Sequence, residues 1–182
     1  MVGAGQHCWE GPPCHRVPLL LVRPVPGGFG DSSTAIKKLL VPLDGSELAH
    51  SAVPFAEGLA KTIGASIVLF HALTPPVVAY QGGEAIGLDP RLIEGLEEGA
   101  RRFLTEAEQE VSSKGLRAKA VLGTGSPVDS IGAAARQEGA DIIVMSTHGR
   151  SGLGRFVLGS VADAVVRRTS LPVILVRPEV SS

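Results

Sequence analysis

The chain has 182 residues, of which 44% are hydrophobic and 19% charged, with a formal net charge of −1; that is enough apolar material for one domain with a sizeable core. No run of Lys or Arg forms a phosphate-tracking surface, which argues against DNA or RNA as a partner. No apolar stretch approaches the roughly 18 residues of a spanning helix, and Cys8 and Cys14 are the only cysteines, so a cytoplasmic protein without membrane anchor or structural disulfides is expected.

Residues 1–35 stand apart from the rest. Within them Val17-Pro18-Leu19-Leu20-Leu21-Val22-Arg23-Pro24 echoes Leu171-Pro172-Val173-Ile174-Leu175-Val176-Arg177-Pro178, with five of eight positions identical. The expectation is an extension carrying the last strand of a preceding repeat, then a Gly-, Pro- and Ser-rich linker from Val25 to Thr34. Chance recurrence and a misplaced gene start are the alternatives. If this copy is structured, it is expected to compete for the edge of the strand it resembles. His7, Cys8, Cys14 and His15 match no usual zinc spacing.

From Ile36 onward, short apolar runs alternate with helical patterns, the signature of a parallel sheet wound through crossover helices. The first strand spans Lys38 to Leu43 and ends at Asp44-Gly45-Ser46, where Ser46 caps a helix with apolar residues from Ala49 to Ile63. Pro54 within it predicts one bent helix rather than two. Ser66 to His71 forms the second strand. Thr74 to Asp89 has no period and reads as a long loop. Asp89-Pro90 then opens a helix with a stripe of Leu92, Leu96, Ala100, Phe103, Ala107 and Val111, ended by Gly115. Strand Ala118–Leu122, helix Pro127–Glu138, strand Asp141–Met145, helix Ser160–Arg168 and strand Val173–Val176 complete five strands and four helices. The expected class is α/β: an open five-stranded parallel sheet, Rossmann-like, with helices on both faces, in a domain over residues 36–182.

In such sheets ligands collect beyond the carboxyl ends of the strands, where the winding reverses. The loop from Ser146 to Ser160 leads straight into a helix and concentrates glycines, hydroxyls and two arginines. Its backbone N–H groups and the positive helix end make a plausible oligophosphate cradle, with Gly149 and Gly159 allowing close approach of the main chain. Glycines in one loop are also ordinary turn residues, and Asp44-Gly45-Ser46 is also an ordinary capping turn. His148 has no partner acid or nucleophile in the sequence and reads as a positioning residue. Gly149-Arg150-Ser151-Gly152 falls short of a nucleophile elbow, because Leu153 stands where glycine is required. No Gly-Lys-Ser or Gly-Lys-Thr occurs, so P-loop phosphoryl transfer is not expected.

Three stretches together resemble the universal stress proteins. They are Val41-Pro42-Leu43-Asp44-Gly45-Ser46, the His71-Ala72 strand end, and Ser146-Thr147-His148-Gly149-Arg150-Ser151-Gly152 followed by Leu158-Gly159-Ser160-Val161-Ala162. The nucleotide-binding members carry Gly, two residues, Gly, nine residues, then Gly-Ser or Gly-Thr. Here that register falls on Ser146, Gly149, Gly159 and Ser160, with Ser146 in place of the first glycine.

The resemblance implies ATP, or ADP or AMP, bound with Mg²⁺ or Mn²⁺ and hydrolysed slowly at most, in a regulatory module of stress response. By it, Asp44 would take the ribose, and Pro42 and Ala72 would flank the adenine. Met145, Ser146, His148 and Gly149 would line the ribose and inner phosphate, and Arg150, Ser151, Gly159, Ser160 and Val161 the phosphates. It also implies a homodimer through Val173–Val176, an exposed edge that needs cover. The rival reading is a dimeric interaction module of the same family that no longer binds nucleotide. An adenylyl-transferring enzyme would need a second acidic or metal-binding cluster, and beyond Asp44 none is evident.

Overall fold

The computed structural model describes residues 18–22, 35–74, 80–81, 84–85, 90–147 and 158–177. The strands are β1 (Leu19–Leu21), β2 (Lys38–Leu43), β3 (Ser66–Leu73), β4 (Tyr80–Gln81), β5 (Glu84–Ala85), β6 (Ala118–Thr124), β7 (Ile142–Ser146) and β8 (Val173–Val176). The helices are α1 (Glu47–His50), α2 (Ala52–Ile63), α3 (Pro90–Ser113), α4 (Pro127–Glu138) and α5 (Ser160–Arg168). The main sheet has the order β1-β8-β7-β2-β3-β6, and β4 pairs with β5 in a separate two-stranded ribbon. β2, β3, β6, β7 and β8 pair in parallel, as the alternating pattern predicts.

Strand period 2 sorts the side chains onto two faces. Leu39, Val41, Leu43, Ile67, Leu69, Ile142, Val144, Ile174 and Val176 point to one face and pack against α2 and α3. Leu40, Val68, Phe70, Ile143, Met145, Val173 and Leu175 point to the other, against Ile131, Ala134 and Ala135 of α4 and Ala162 and Val165 of α5. Strands apolar on both faces are what a doubly covered parallel sheet requires.

Several expectations are corrected. The main sheet has six strands rather than five, because β1 joins it antiparallel to β8, with Leu19 opposite Leu175, Leu20 opposite Ile174 and Leu21 opposite Val173. The edge assigned to self-association therefore carries the chain's own N-terminal strand. The loop after β3 holds the β4–β5 ribbon. The expected bent helix is two helices, divided at Ser51. Pro54 cannot donate to residue 50, and its ring crowds that residue's carbonyl, so α2 starts afresh with Pro54 in its first turn, where no donor is needed. β3 and β6 run on to Leu73 and Thr124, which pair with each other.

The α3 stripe is only partly core. Ala100, Leu104, Ala107 and Val111 are buried, while Leu92 and Leu96 are exposed. A helix of 24 residues is about 36 Å long, against about 26 Å for a strand of eight, so its first turns overhang the sheet.

Candidate functional site

The parallel strands run β8-β7-β2-β3-β6 across the sheet, so the winding reverses between β2 and β7, the first and fourth parallel strands in sequence. At that junction β2 and β7 are in register only at Leu39–Ile142 and Leu40–Ile143. On the flanks β2 stays paired to β3 out to Leu43 and His71, and β7 to β8 out to Ser146 and Val176. Pro42, which has no N–H, lies in β2 just beyond the point where the pairing to β7 stops. The ladder thus ends early at the one place where an open α/β sheet offers a ligand crevice.

Around this crevice the local bonding is specific. Asp44 Oδ1 accepts from the Ser46 N–H at 2.9 Å and from the Ser46 hydroxyl at 2.6 Å. The Ser46 hydroxyl oxygen in turn accepts from the Ala49 N–H at 3.1 Å, capping α1. The capping role of Asp44-Gly45-Ser46 is therefore real, and it fixes one carboxylate oxygen at the end of β2. The registers at Leu43–His71 and Leu40–Ile143, extended by chain count, put Asp44 level with Ala72 and Thr147.

In the sequence His71 reads only as a strand end, and the structure gives it a further part. Its Nδ1 lies 2.8 Å from the Leu43 carbonyl oxygen; a carbonyl only accepts, so Nδ1 carries the hydrogen. Its ring also meets Phe103 of α3 edge-on, at 5.9 Å and 70°. A His that closes an otherwise apolar strand is the signal that could have marked it.

Across the crevice, the Thr147 N–H donates to Val176 O at 2.9 Å, and the Gly159 N–H donates to Thr147 O at 2.7 Å. The two ends of the glycine-rich loop are thereby tied together, and α5 begins beside the carboxyl end of β7. Among the described residues no side chain caps α5; its N-cap is Gly159. Ser160 is exposed, Gly159 and Val161 are half-buried, and Ser146 is buried.

The structure thus brings Pro42, Asp44, Ala72, Met145, Ser146, Gly159, Ser160 and Val161 to one edge of the sheet. Met145 sends its side chain into the core beneath α4 and α5, so any ligand contact it makes comes from its main chain. His148, Gly149, Arg150 and Ser151 lie outside the described residues. No cluster of three metal-ligating side chains occurs among the described residues.

Two surface grooves lie at the opposite end of the sheet. One of about 400 Å³ runs between α4 and α5 beside Arg136, Arg168 and Leu171. The other, about 150 Å³, lies beside Lys38, Ser66 and Ala118, at the starts of β2, β3 and β6. Both sit at the amino ends of the strands, where this architecture does not place ligands. The Asp44 edge is therefore the candidate site.

The profile of the Universal stress protein family matches residues 35–177. The chain belongs to the universal stress protein family. Universal stress protein MJ0531 of Methanocaldococcus jannaschii is 30% identical over 141 residues, covering 78% of this chain and 82% of that one. A universal stress protein of Thermus aquaticus is 34% identical over 142 residues, covering 78% of this chain and 98% of the relative. The solved structure of MJ0577, from the same archaeon as MJ0531, superposes with a TM-score of 0.69 at 28% identity, over 81% of this chain and 99% of that one. That superposition shows that MJ0577 has the same fold. No helix among the described residues is long and apolar enough to cross a membrane.

Proposed function

We infer that this universal stress protein binds an adenine nucleotide, ATP foremost, in the crevice between the carboxyl ends of β2 and β7. The reading rests above all on the tie between Gly159 N–H and Thr147 O, which holds the start of α5, uncapped by any side chain among the described residues, at the carboxyl end of β7, the strand next to the one that ends in Asp44. A helix start without a side-chain cap offers N–H groups and a positive dipole end to phosphate. A carboxylate level with it suits vicinal ribose hydroxyls. Two proteins of the same fold, each 24% identical to this chain, have been solved with cAMP and with dAMP; they support the fold, and the crevice supports the ligand class.

In this reading Pro42 and Ala72 flank the base, Asp44 takes the ribose, and Met145 and Ser146 contribute main chain. Gly159, Ser160 and Val161 face the phosphates, with His148, Gly149, Arg150 and Ser151 completing the loop. Mg²⁺ or Mn²⁺ would ride on the phosphates, supplying charge neutralisation there. The protein is then a cytoplasmic nucleotide-responsive regulator in stress response, a slow hydrolase at most. A homodimer through Val173–Val176 belongs to the same reading, provided β1 leaves that edge.

A second reading is favoured by Ser146, which is buried where nucleotide-binding members carry glycine: an interaction module that has lost its nucleotide. Isothermal titration of the nucleotide-stripped chain with ATP and Mg²⁺ separates the two. Saturable heat is the expected result; no heat and no rise in Tm at millimolar ATP would establish the interaction module instead.

A further inference from the structure

Beyond Leu40 the tip of β2 is supported from one side. Its register with β7 ends at Leu40–Ile143, while its register with β3 continues through Val41, Pro42 and Leu43, the last of them opposite His71. Asp44 follows directly, so the placement of its backbone at the crevice depends on how firmly β3 holds these last residues.

His71 adds a side-chain bond at that point. By the strand period it belongs to the row Ile67, Leu69, His71 and Leu73 of β3. Its three companions are buried and apolar, and His71 is the one polar side chain among them. An aliphatic side chain would fill the place without losing hydration, so packing does not account for an imidazole there. The bond from Nδ1–H to the Leu43 oxygen at 2.8 Å does. The edge-on contact with Phe103 of α3 at 5.9 Å fixes the plane of the ring that makes it.

The carbonyl oxygen of Leu43 and the N–H of Asp44 belong to one planar amide. Fixing that oxygen fixes the plane from which the Asp44 Cα departs. The side chain on the same Cα is held through Oδ1 by the Ser46 N–H and hydroxyl. Asp44 is thereby clamped twice, at its carboxylate by the turn that follows and at its backbone by a side chain of the neighbouring strand.

We propose that His71 is a positioning residue for the nucleotide site: its Nδ1–H, acting through the Leu43 carbonyl, sets the orientation in which Asp44 offers its carboxylate to the ribose. This rests on the ribose role proposed for Asp44 above, and His71 itself touches no ligand.

Two substitutions in the full chain separate the donor from the ring. His71→Phe keeps a ring beside Phe103 and deletes the donor, whereas His71→Asn deletes the ring and keeps an amide donor near the place of Nδ1. One readout is the exchange rate of the Ser46 amide, which is bonded to the Asp44 carboxylate, followed by nuclear magnetic resonance. The other is titration calorimetry with ATP and Mg²⁺. His71→Phe is expected to speed Ser46 exchange and to weaken ATP about tenfold, while His71→Asn stays within about threefold of wild type in both. Exchange at Leu39 and Leu40, deeper in β2, should be unchanged in either variant. Wild-type behaviour of His71→Phe in either readout would overturn the proposal, as would equal impairment in both variants, which lost packing alone would give. No ATP heat from the wild type would sink the nucleotide reading instead, and Ser46 exchange would then decide for His71 alone. Should His71→Phe lose its native circular dichroism, the smaller His71→Leu takes its place.

Discussion

At the scale of single residues, Asp44 joins structure to function. Its Oδ1 is held by the Ser46 N–H and hydroxyl, so Asp44→Ala removes the turn and, in the proposed function, the ribose contact. Ser46→Ala removes only one hydroxyl bond to the carboxylate and the cap on Ala49. Asp44→Ala is expected to abolish ATP binding in titration calorimetry, while Ser46→Ala binds within a few-fold of wild type at a lower Tm. Equal loss in both would mean that the turn, not the carboxylate, makes the site. Gly123 is another position with little tolerance. A Cβ there would stand 2.7 Å from the Phe70 ring, and Phe70 is itself buried. Gly123→Ala should cost about 1–3 kcal/mol by overpacking, read as a shift of the urea midpoint with unchanged slope. Neither Gly123 nor the His71–Leu43 bond was legible in the sequence, because both depend on which strands become neighbours.

At the scale of elements, α2 and α3 are joined by one ammonium. Lys114 Nζ donates to Glu57 Oε1 at 2.8 Å and to Glu110 Oε1 at 2.9 Å, and Glu57 is buried. Replacing Lys114 with Met leaves that buried carboxylate without its cation and should cost about 1–3 kcal/mol in chemical denaturation. The same cluster sets a pH dependence. Bonding to Glu57, then to Glu110, raises the Lys114 pKa above its usual 10.5. That contribution is present in full below 10.5 and fades as pH climbs through the raised value. The Lys114 bond lowers the Glu110 pKa below its usual 4.5, so its contribution is present above 4.5 and fades as pH falls through the lowered value. Urea midpoints of wild type and Lys114→Met should therefore differ most on a plateau between these limits and converge outside them. A constant difference across the whole range would exclude the ion pairs as its source. The helices themselves were legible from their period. The division at Ser51 was not, because the weight of Pro54 depends on whether residue 50 can still be accommodated in the preceding turn.

At the scale of the whole molecule, the doubly covered sheet follows from strands apolar on both faces, and its order from short connections and right-handed crossovers. The switch point was accordingly predictable, and with it the edge where Asp44, Ala72, Ser146 and Gly159 gather. The sixth strand was legible only as an echo of the fifth; its antiparallel seat on β8 depends on an edge that exists only once the sheet has formed. Occupancy of the crevice between β2 and β7 by a nucleotide is tested by hydrogen exchange of the full chain with and without ATP and Mg²⁺. Slowed exchange is expected at residues 43–47 and 146–162, with no change along the groove between α4 and α5. No protection at saturating ATP, or protection confined to that groove, would contradict it.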